Sequence, residues 1–333
     1  MTLSPERSFR KSETEVTGGT GQEGRSRMDQ EQGLIFHIIH GSFVDGYGVR
    51  TTVFLKGCPL RCIWCCNPEG QEGYPEIKFT PAQCDGCGRC VPICPTGAIQ
   101  LDVKAGDEKL KIDRRLCTNC GKCIEVCYTG ALDYFGKYIS VDELFKRLKK
   151  DEQFYRASGG GITIGGGEPT FQAHFTHSLL RKCRENYINV AVDTCGYTQS
   201  REGLKVLEEA DLLLYDLKGM DPKAHLKNTG VANEVILANL KRLDAMGKAI
   251  IIRVPIIPGY TDSAQNIEST AEFLAGLKSV ERVDLLAYHQ YGMVKYGQLG
   301  RAYRLDIQPP GQDYLDDVKD TFEQYGLNVQ LGG

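Results

Sequence analysis

Cys58-Pro59-Leu60-Arg61-Cys62-Ile63-Trp64-Cys65 places three cysteines at offsets of four and three residues, directly behind the apolar run Thr51-Thr52-Val53-Phe54-Leu55. Thiolates are soft ligands, and a tight group of them suits an iron–sulfur cluster or zinc. Three sulfurs can hold only three irons of a 4Fe–4S cubane, which leaves one iron open to a ligand that is not protein. A closed structural zinc site needs a fourth protein ligand. The one other thiol nearby, Cys66, adjoins Cys65, and adjacent residues rarely reach one metal, so Cys66 reads as a bystander to the metal itself. On this stretch alone a cysteine-rich zinc loop stays open as the alternative.

Further along, Cys84, Cys87, Cys90 and Cys94 follow C-x2-C-x2-C-x3-C, and Cys117, Cys120, Cys123 and Cys127 repeat it 33 residues later. The endings repeat too, as Thr96-Gly97-Ala98-Ile99 and Thr129-Gly130-Ala131-Leu132. The doubled run resembles the two-cluster bacterial ferredoxins, in which the fourth cysteine of each run ligates the other run's cluster. That resemblance implies one cubane on Cys84, Cys87, Cys90 and Cys127, and another on Cys94, Cys117, Cys120 and Cys123. Tyr128 stands where the pattern has proline, whereas Cys94 is followed by the expected Pro95. Paired zinc ribbons are the alternative, but they use separated C-x2-C pairs.

The chain has 333 residues with a formal net charge of −3, so bulk electrostatics give no reason to expect nucleic acid or an anionic membrane as partner. Of its 14 cysteines, twelve lie between Cys58 and Cys127, a clustering unlike a disulfide framework spread over a secreted fold. Thiols this dense imply a reducing interior, and the cytoplasm is the expected compartment. No signal peptide and no apolar run near the ~20 residues of a membrane helix is seen. Residues 1–32 are polar and too poor in apolar residues to fold alone, so a disordered tail is expected, with Met28 a candidate start.

Strand-like sequence begins at Leu34–Ile39, and Arg50–Leu55 reads as the first strand of a βα series. Residues 74–136 interrupt that series with the doubled cysteine run. After it, Ser140-Val141-Asp142-Glu143 is a capping box, and Val141, Leu144, Phe145 and Leu148 form a helical stripe. Short strands at Ile162–Ile164, Ile188–Val192, Leu212–Leu217, Ile250–Pro255 and Val283–Tyr288 alternate with helices near Phe171–Asn186, Glu202–Ala210, Ala232–Met246, Ala264–Leu277 and Gln312–Tyr325. Six βα units predict an α/β fold: a partial (β/α)6 barrel over residues 33–73 and 137–333, carrying a ferredoxin-like insert of two 4Fe–4S sites at 74–136.

Reactive groups of βα barrels gather at the C-terminal ends of the strands. Gly165-Gly166-Gly167-Glu168-Pro169 ends one strand, and glycines let backbone approach a ligand closely. Tyr215-Asp216-Leu217-Lys218 ends another; Asp216 and Lys218, two apart, face the same side, as a buried acid–base pair or as a surface salt bridge. Arg253 interrupts an apolar strand and needs an anion, either a ligand carboxylate or an internal acid. His289 follows Leu285-Leu286-Ala287-Tyr288. Asp193-Thr194-Cys195-Gly196 also ends a strand, with Cys195 read as packing and not as a ligand; His174 and His177 read as surface residues.

Asp45-Gly46-Tyr47-Gly48-Val49-Arg50, the three-cysteine loop and the G-G-E-P segment together resemble the activating enzymes of glycyl radical enzymes, within the radical S-adenosylmethionine (SAM) superfamily. Tyr47 replaces the proline usual in that opening. The resemblance implies a 4Fe–4S cluster on Cys58, Cys62 and Cys65 whose open iron chelates SAM, and three such clusters in all. It implies cofactor contacts from Trp64, Cys65, Cys66, Gly166, Gly167, Glu168, Asp216, Leu217, Lys218, Arg253 and His289, with Asp216 and Lys218 also catalytic. Reductive cleavage of SAM would give a 5′-deoxyadenosyl radical that takes hydrogen from a glycine Cα of a partner enzyme. The expected partners are that glycyl radical enzyme and an electron donor such as flavodoxin or ferredoxin, with no nucleic acid, no membrane and a monomeric working unit. A radical SAM enzyme acting on a small molecule or peptide is the alternative.

Overall fold

Apolar runs without alternation make strands buried on both faces, and the amphipathic segments between them make the helices that cover those faces. The computed structural model describes residues 32–101 and 109–332. β1 (Gln32–Ser42) and β2 (Arg50–Leu55) pair antiparallel, and β7 (Lys137–Ser140) adds to the outer edge of β1. On the other side of β2 lie, all parallel, β8 (Gly161–Gly166), β9 (Asn189–Thr194), β10 (Leu212–Asp216), β11 (Ile250–Ile256), β12 (Val280–Ala287) and the short β13 (Val329–Leu331). The sheet order is β13-β12-β11-β10-β9-β8-β2-β1-β7, and its two ends are not paired with each other. The α/β partial barrel therefore stays open.

The insert lies between β2 and β7. It comprises β3 (Glu76–Phe79), α1 (Cys90–Ile93), β4 (Ile99–Leu101), β5 (Leu110–Ile112), α2 (Lys122–Glu125) and β6 (Leu132–Phe135). β3 pairs with β6 and β4 with β5, and Ile77, Phe79, Ile99, Leu110 and Leu132 form a core distinct from that of the barrel.

The barrel helices are α3 (Val141–Leu148), α4 (Glu152–Ser158), α5 (Ala173–Glu185), α6 (Arg201–Glu209), α7 (Pro222–Thr229), α8 (Glu234–Ala245), α9 (Ala264–Ala275), α10 (Met293–Gln298) and α11 (Gln312–Gln324). α3 starts where the capping box predicts: Ser140 Oγ accepts from the Glu143 N–H at 3.2 Å, and Val141, Leu144, Phe145 and Leu148 are its buried face. Three of these helices, α4, α7 and α10, have no counterpart in the sequence reading. α7 buries His225, Asn228 and Thr229, so its inner face is polar and shows no apolar period. α10, at six residues, is too short for a period to register.

The expected tail at 1–32 lies outside the described residues except Gln32, which begins β1. Among the described residues no helix is long and apolar enough to cross a membrane.

Candidate functional site at the C-terminal strand ends

The loop after β2 is pinned by backbone on both sides. Gly57 N donates to Gly70 O at 2.8 Å and Cys58 N to Gln71 O at 3.0 Å, while Arg61 N and Ile63 N donate to Thr229 O and Asn228 O at the end of α7. The polar helix missed in the sequence is thus what carries the three-cysteine loop. The end of β8 packs beneath: Gly167 N donates to Leu55 O at 2.7 Å and Glu168 N to Gly57 O at 2.8 Å. A Cβ at Gly167 would lie 2.4 Å from Gly57 O and 2.6 Å from Gly70 O, and Gly166 has φ +102°, so neither position admits a side chain.

These ends enclose one cavity of 220 Å³. The loop after β2 and the ends of β8, β9, β10, β11 and β12 all contribute. Cys58, Cys62 and Cys65 line it, with Trp64, Cys66, Gly166, Gly167, Asp216, Lys218, Arg253 and His289 of the residues singled out above. Two of those residues do not reach it. The Glu168 carboxylate is fully buried and accepts from Thr170 N, Thr170 Oγ1, Thr194 Oγ1 and Cys195 N at 2.7–3.0 Å, tying the end of β8 to the end of β9. Leu217, 2% exposed, points into the barrel core, as the alternation of a strand requires when its neighbours Asp216 and Lys218 face the cavity.

Lys218 Nζ donates to Asp216 Oδ2 at 2.5 Å inside the cavity, so this pair is not a surface salt bridge. Burial opposes charge on Lys218, but Asp216 with the Cys62 and Cys195 thiols outweighs it and holds the ammonium above its usual pKa. Arg253 has internal acids: Asp45 and Asp193 each lie 3.4 Å from its guanidinium, and it donates to Val44 O at 2.5 Å. Its Nε is buried with no partner. Burial pushes the Asp193 carboxyl up to about 7, against the pull of Arg253. Burial likewise raises the Cys62 thiol to about 12, with Lys218 opposing. His289 is exposed, stacks on Tyr291 at 4.5 Å between ring centroids, and is lowered by partial burial.

Sequence reasoning left Asp45 and Asp193 without a role, although both stand in quoted motifs. Cys195 packs in a buried cluster with Cys62 and Trp64, as read from the sequence, and it also lines the cavity.

In the insert, Cys84, Cys87, Cys90 and Cys127 line one pocket, and Cys94, Cys117, Cys120 and Cys123 line a second. Their volumes are 20 and 10 Å³, and Phe79, Leu101, Leu110, Ile77 and Ile112 supply much of the remaining wall. The soft four-thiol donor sets suit an iron–sulfur group. The orphaned Arg253 Nε and the Lys218 ammonium suit a ligand with an anionic end, such as the SAM carboxylate.

Comparison with known proteins agrees in both regions. Residues 125–274 match the radical SAM superfamily and residues 83–131 the 4Fe–4S dicluster domain. The first match begins beyond the Cys58–Cys65 loop, which the insert separates from β8. The chain is 40% identical over 304 residues to the trans-4-hydroxy-L-proline dehydratase activating enzyme of Clostridioides difficile, covering 90% of this chain and 99% of that one. It is 38% identical to the choline trimethylamine-lyase activating enzyme of Oleidesulfovibrio alaskensis, covering 91% and 99%. It is 41% identical to the benzylsuccinate synthase activating enzyme of Thauera aromatica, covering 90% and 92%.

Proposed function

The chain belongs to the activating enzymes of glycyl radical enzymes, within the radical SAM superfamily, and on that premise we propose how its own residues divide the work. It is an enzyme that activates a partner glycyl radical enzyme; an action on small molecules or peptides is not favoured. We assign the 4Fe–4S cluster of this superfamily to Cys58, Cys62 and Cys65. The observation that carries the assignment is the single cavity these cysteines share with Asp216, Lys218 and Arg253 at the strand ends.

Held by Cys58, Cys62 and Cys65, the cluster would supply the electron for reductive cleavage of SAM, the chemistry that would remove a hydrogen atom from a glycine Cα of the partner. The chain's side chains bind, orient and enclose. Lys218, kept charged by Asp216, and Arg253 face the SAM carboxylate, each as a fixed cation needing no reorganisation. The side-chain-free backbone of Gly166 and Gly167 lets the SAM amino group approach. Trp64 and His289 flank the adenosine, and Pro255, Ile257 and Leu286 exclude water from that wall. Glu168 positions these groups without touching the cofactor.

The two pockets of the insert support two further clusters, on Cys84, Cys87, Cys90 and Cys127 and on Cys94, Cys117, Cys120 and Cys123, three clusters in all. Flavodoxin or ferredoxin is the assigned electron donor and a monomer the working unit. The thiol content favours the cytoplasm.

The test is anaerobic reconstitution followed by reduction with dithionite in the presence of SAM. Formation of 5′-deoxyadenosine and a SAM-induced change in the electron paramagnetic resonance (EPR) signal are expected, and both disappear in Cys62→Ala. A cluster signal indifferent to SAM overturns the assignment.

A further inference from the structure

Lys295, on α10, does not line the cavity, yet it reaches the turn that follows Cys65. Its Nζ donates to Asn67 Oδ1 at 2.8 Å and to Cys66 O at 3.3 Å, and pairs with Glu69 Oε1 at 2.6 Å. The start of α10 lies hard against the same turn: a Cβ at Gly292 would be 3.0 Å from Cys65 O and from Cys66 Cα. Nothing but glycine fits there without a shift.

The acidic end of the pair is buried, while the Lys295 side chain is about one-third exposed. The Glu69 side chain is 3% exposed, and its second oxygen is buried without a partner. Close by, Glu76 is held by two cations, Lys56 at 3.1 Å and Arg301. Glu69 has Lys295 as its ion-pair partner, so the charge of Glu69 beside the Cys65 turn is balanced by that ammonium. Charge and hydrogen bonding near an iron–sulfur group set its potential, and a positive charge favours the reduced form.

We propose that Lys295 is a positioning residue for the iron–sulfur group at Cys58, Cys62 and Cys65: it fixes the turn that presents Cys65, and its charge holds the reduction potential of that group up, with Glu69 as the opposing charge. The inference rests on the assignment made in the preceding subsection. It adds a residue outside the cavity whose effect is on potential and not on contact with SAM.

The test is a redox titration of the anaerobically reconstituted full chain, following only the EPR signal that SAM perturbs. At the midpoint of the wild-type protein, Lys295→Met should lower the ratio of reduced to oxidised cluster about tenfold, a shift of about 59 mV for one electron. Lys295→Arg, which keeps the charge, should stay at the wild-type ratio. Glu69→Gln should move the ratio the opposite way, upward. Two variants of opposite charge that shift in opposite directions cannot both be explained by a loosened loop. An unmoved Lys295→Met, or Lys295→Met and Glu69→Gln shifting the same way, overturns the proposal. If Lys295→Met fails to load iron, Glu69→Gln with Lys295→Arg decides: a rise in the first with none in the second supports the proposal, and no rise in the first overturns it. A wild-type signal unmoved by SAM would instead sink the assignment beneath it, so the two failures are told apart.

Discussion

Cysteines gather in two regions of this molecule, and what surrounds them differs. In the insert, four thiols from both runs surround each pocket, the space left is 20 or 10 Å³, and apolar side chains make much of the wall. At the strand ends, the three-cysteine loop shares 220 Å³ with Asp193, Asp216, Lys218 and Arg253. On the proposed assignment, a cluster with four thiolates would be saturated by protein, which suits storage or passage of electrons. A cluster with three thiolates beside fixed cations would keep a coordination position for an anionic ligand. The proposed difference between the regions lies in ligand count and in the charge of the walls.

The largest effect should come from removing one thiol on each side of this contrast. Cys62→Ala should abolish 5′-deoxyadenosine formation, a loss of at least about 10³-fold, and remove about a third of the bound iron if each site holds one cubane. Cys90→Ala should lose a similar share of iron yet keep the SAM-induced EPR change. Iron quantitation beside the SAM-cleavage assay checks both, and equal loss of SAM cleavage in the two variants would erase the distinction between the regions.

Next come the cations of the open site. On the proposed assignment, Lys218→Met removes one charge-assisted partner of the SAM carboxylate and strands Asp216, so SAM affinity should fall by about 10- to 100-fold, roughly 1.5–3 kcal/mol. Iron content should not change. Equilibrium binding of SAM to the loaded protein measures it, and unchanged affinity would remove Lys218 from the site.

A smaller effect, on stability, is expected at Glu168. Glu168→Gln turns a buried acceptor of several hydrogen bonds into a group that must donate among donors, at a cost of about 2 kcal/mol. Thermal unfolding should show a lower midpoint, whereas an equivalent change at exposed Glu125, in the insert, should leave it in place.

The smallest effect is pH-dependent and concerns the support of the loop. His225 lies within α7, its Nδ1 bonded to Val231 O at 2.7 Å and its Nε2 buried without a partner. Burial holds its pKa below the usual 6.5. The unfolded chain therefore takes up the proton first, so this contribution to stability is complete above that pH and is lost as pH falls below it. Unfolding midpoints measured across that range should fall less steeply in His225→Gln than in the wild type. Parallel slopes would contradict the reading.

Much of the fold was legible because its signals are local. Six of the seven parallel strands, β2 and β8 to β12, show as apolar runs, and the N-terminus of α3 shows as a capping box. Several observed strands start earlier or end later than expected, as β12 does at Val280, because hydrogen bonding between neighbours extends a strand beyond its apolar centre, whereas β10 stops one residue short at Asp216. α7 was hidden because the face it buries is polar. At the site, Gly166, Gly167, Asp216, Lys218 and Arg253 were visible as polar or glycine positions at the ends of apolar strands. Glu168 stood in the same motif, but a motif does not say whether a carboxylate faces a ligand or a neighbouring turn.

Taken by itself, the order of residues determined the ligand type, the two repeated four-cysteine runs and the alternation of strand and helix. Each of these depends on spacings within a few residues or on one repeat. Only the folded chain decided that Arg253 meets Asp45 across 208 positions, that Glu168 is a strut between β8 and β9, and that Lys295 reaches the turn beside Cys65. Those contacts join segments far apart in sequence, and they exist because closing the sheet towards a barrel brings the ends of six strands around one point.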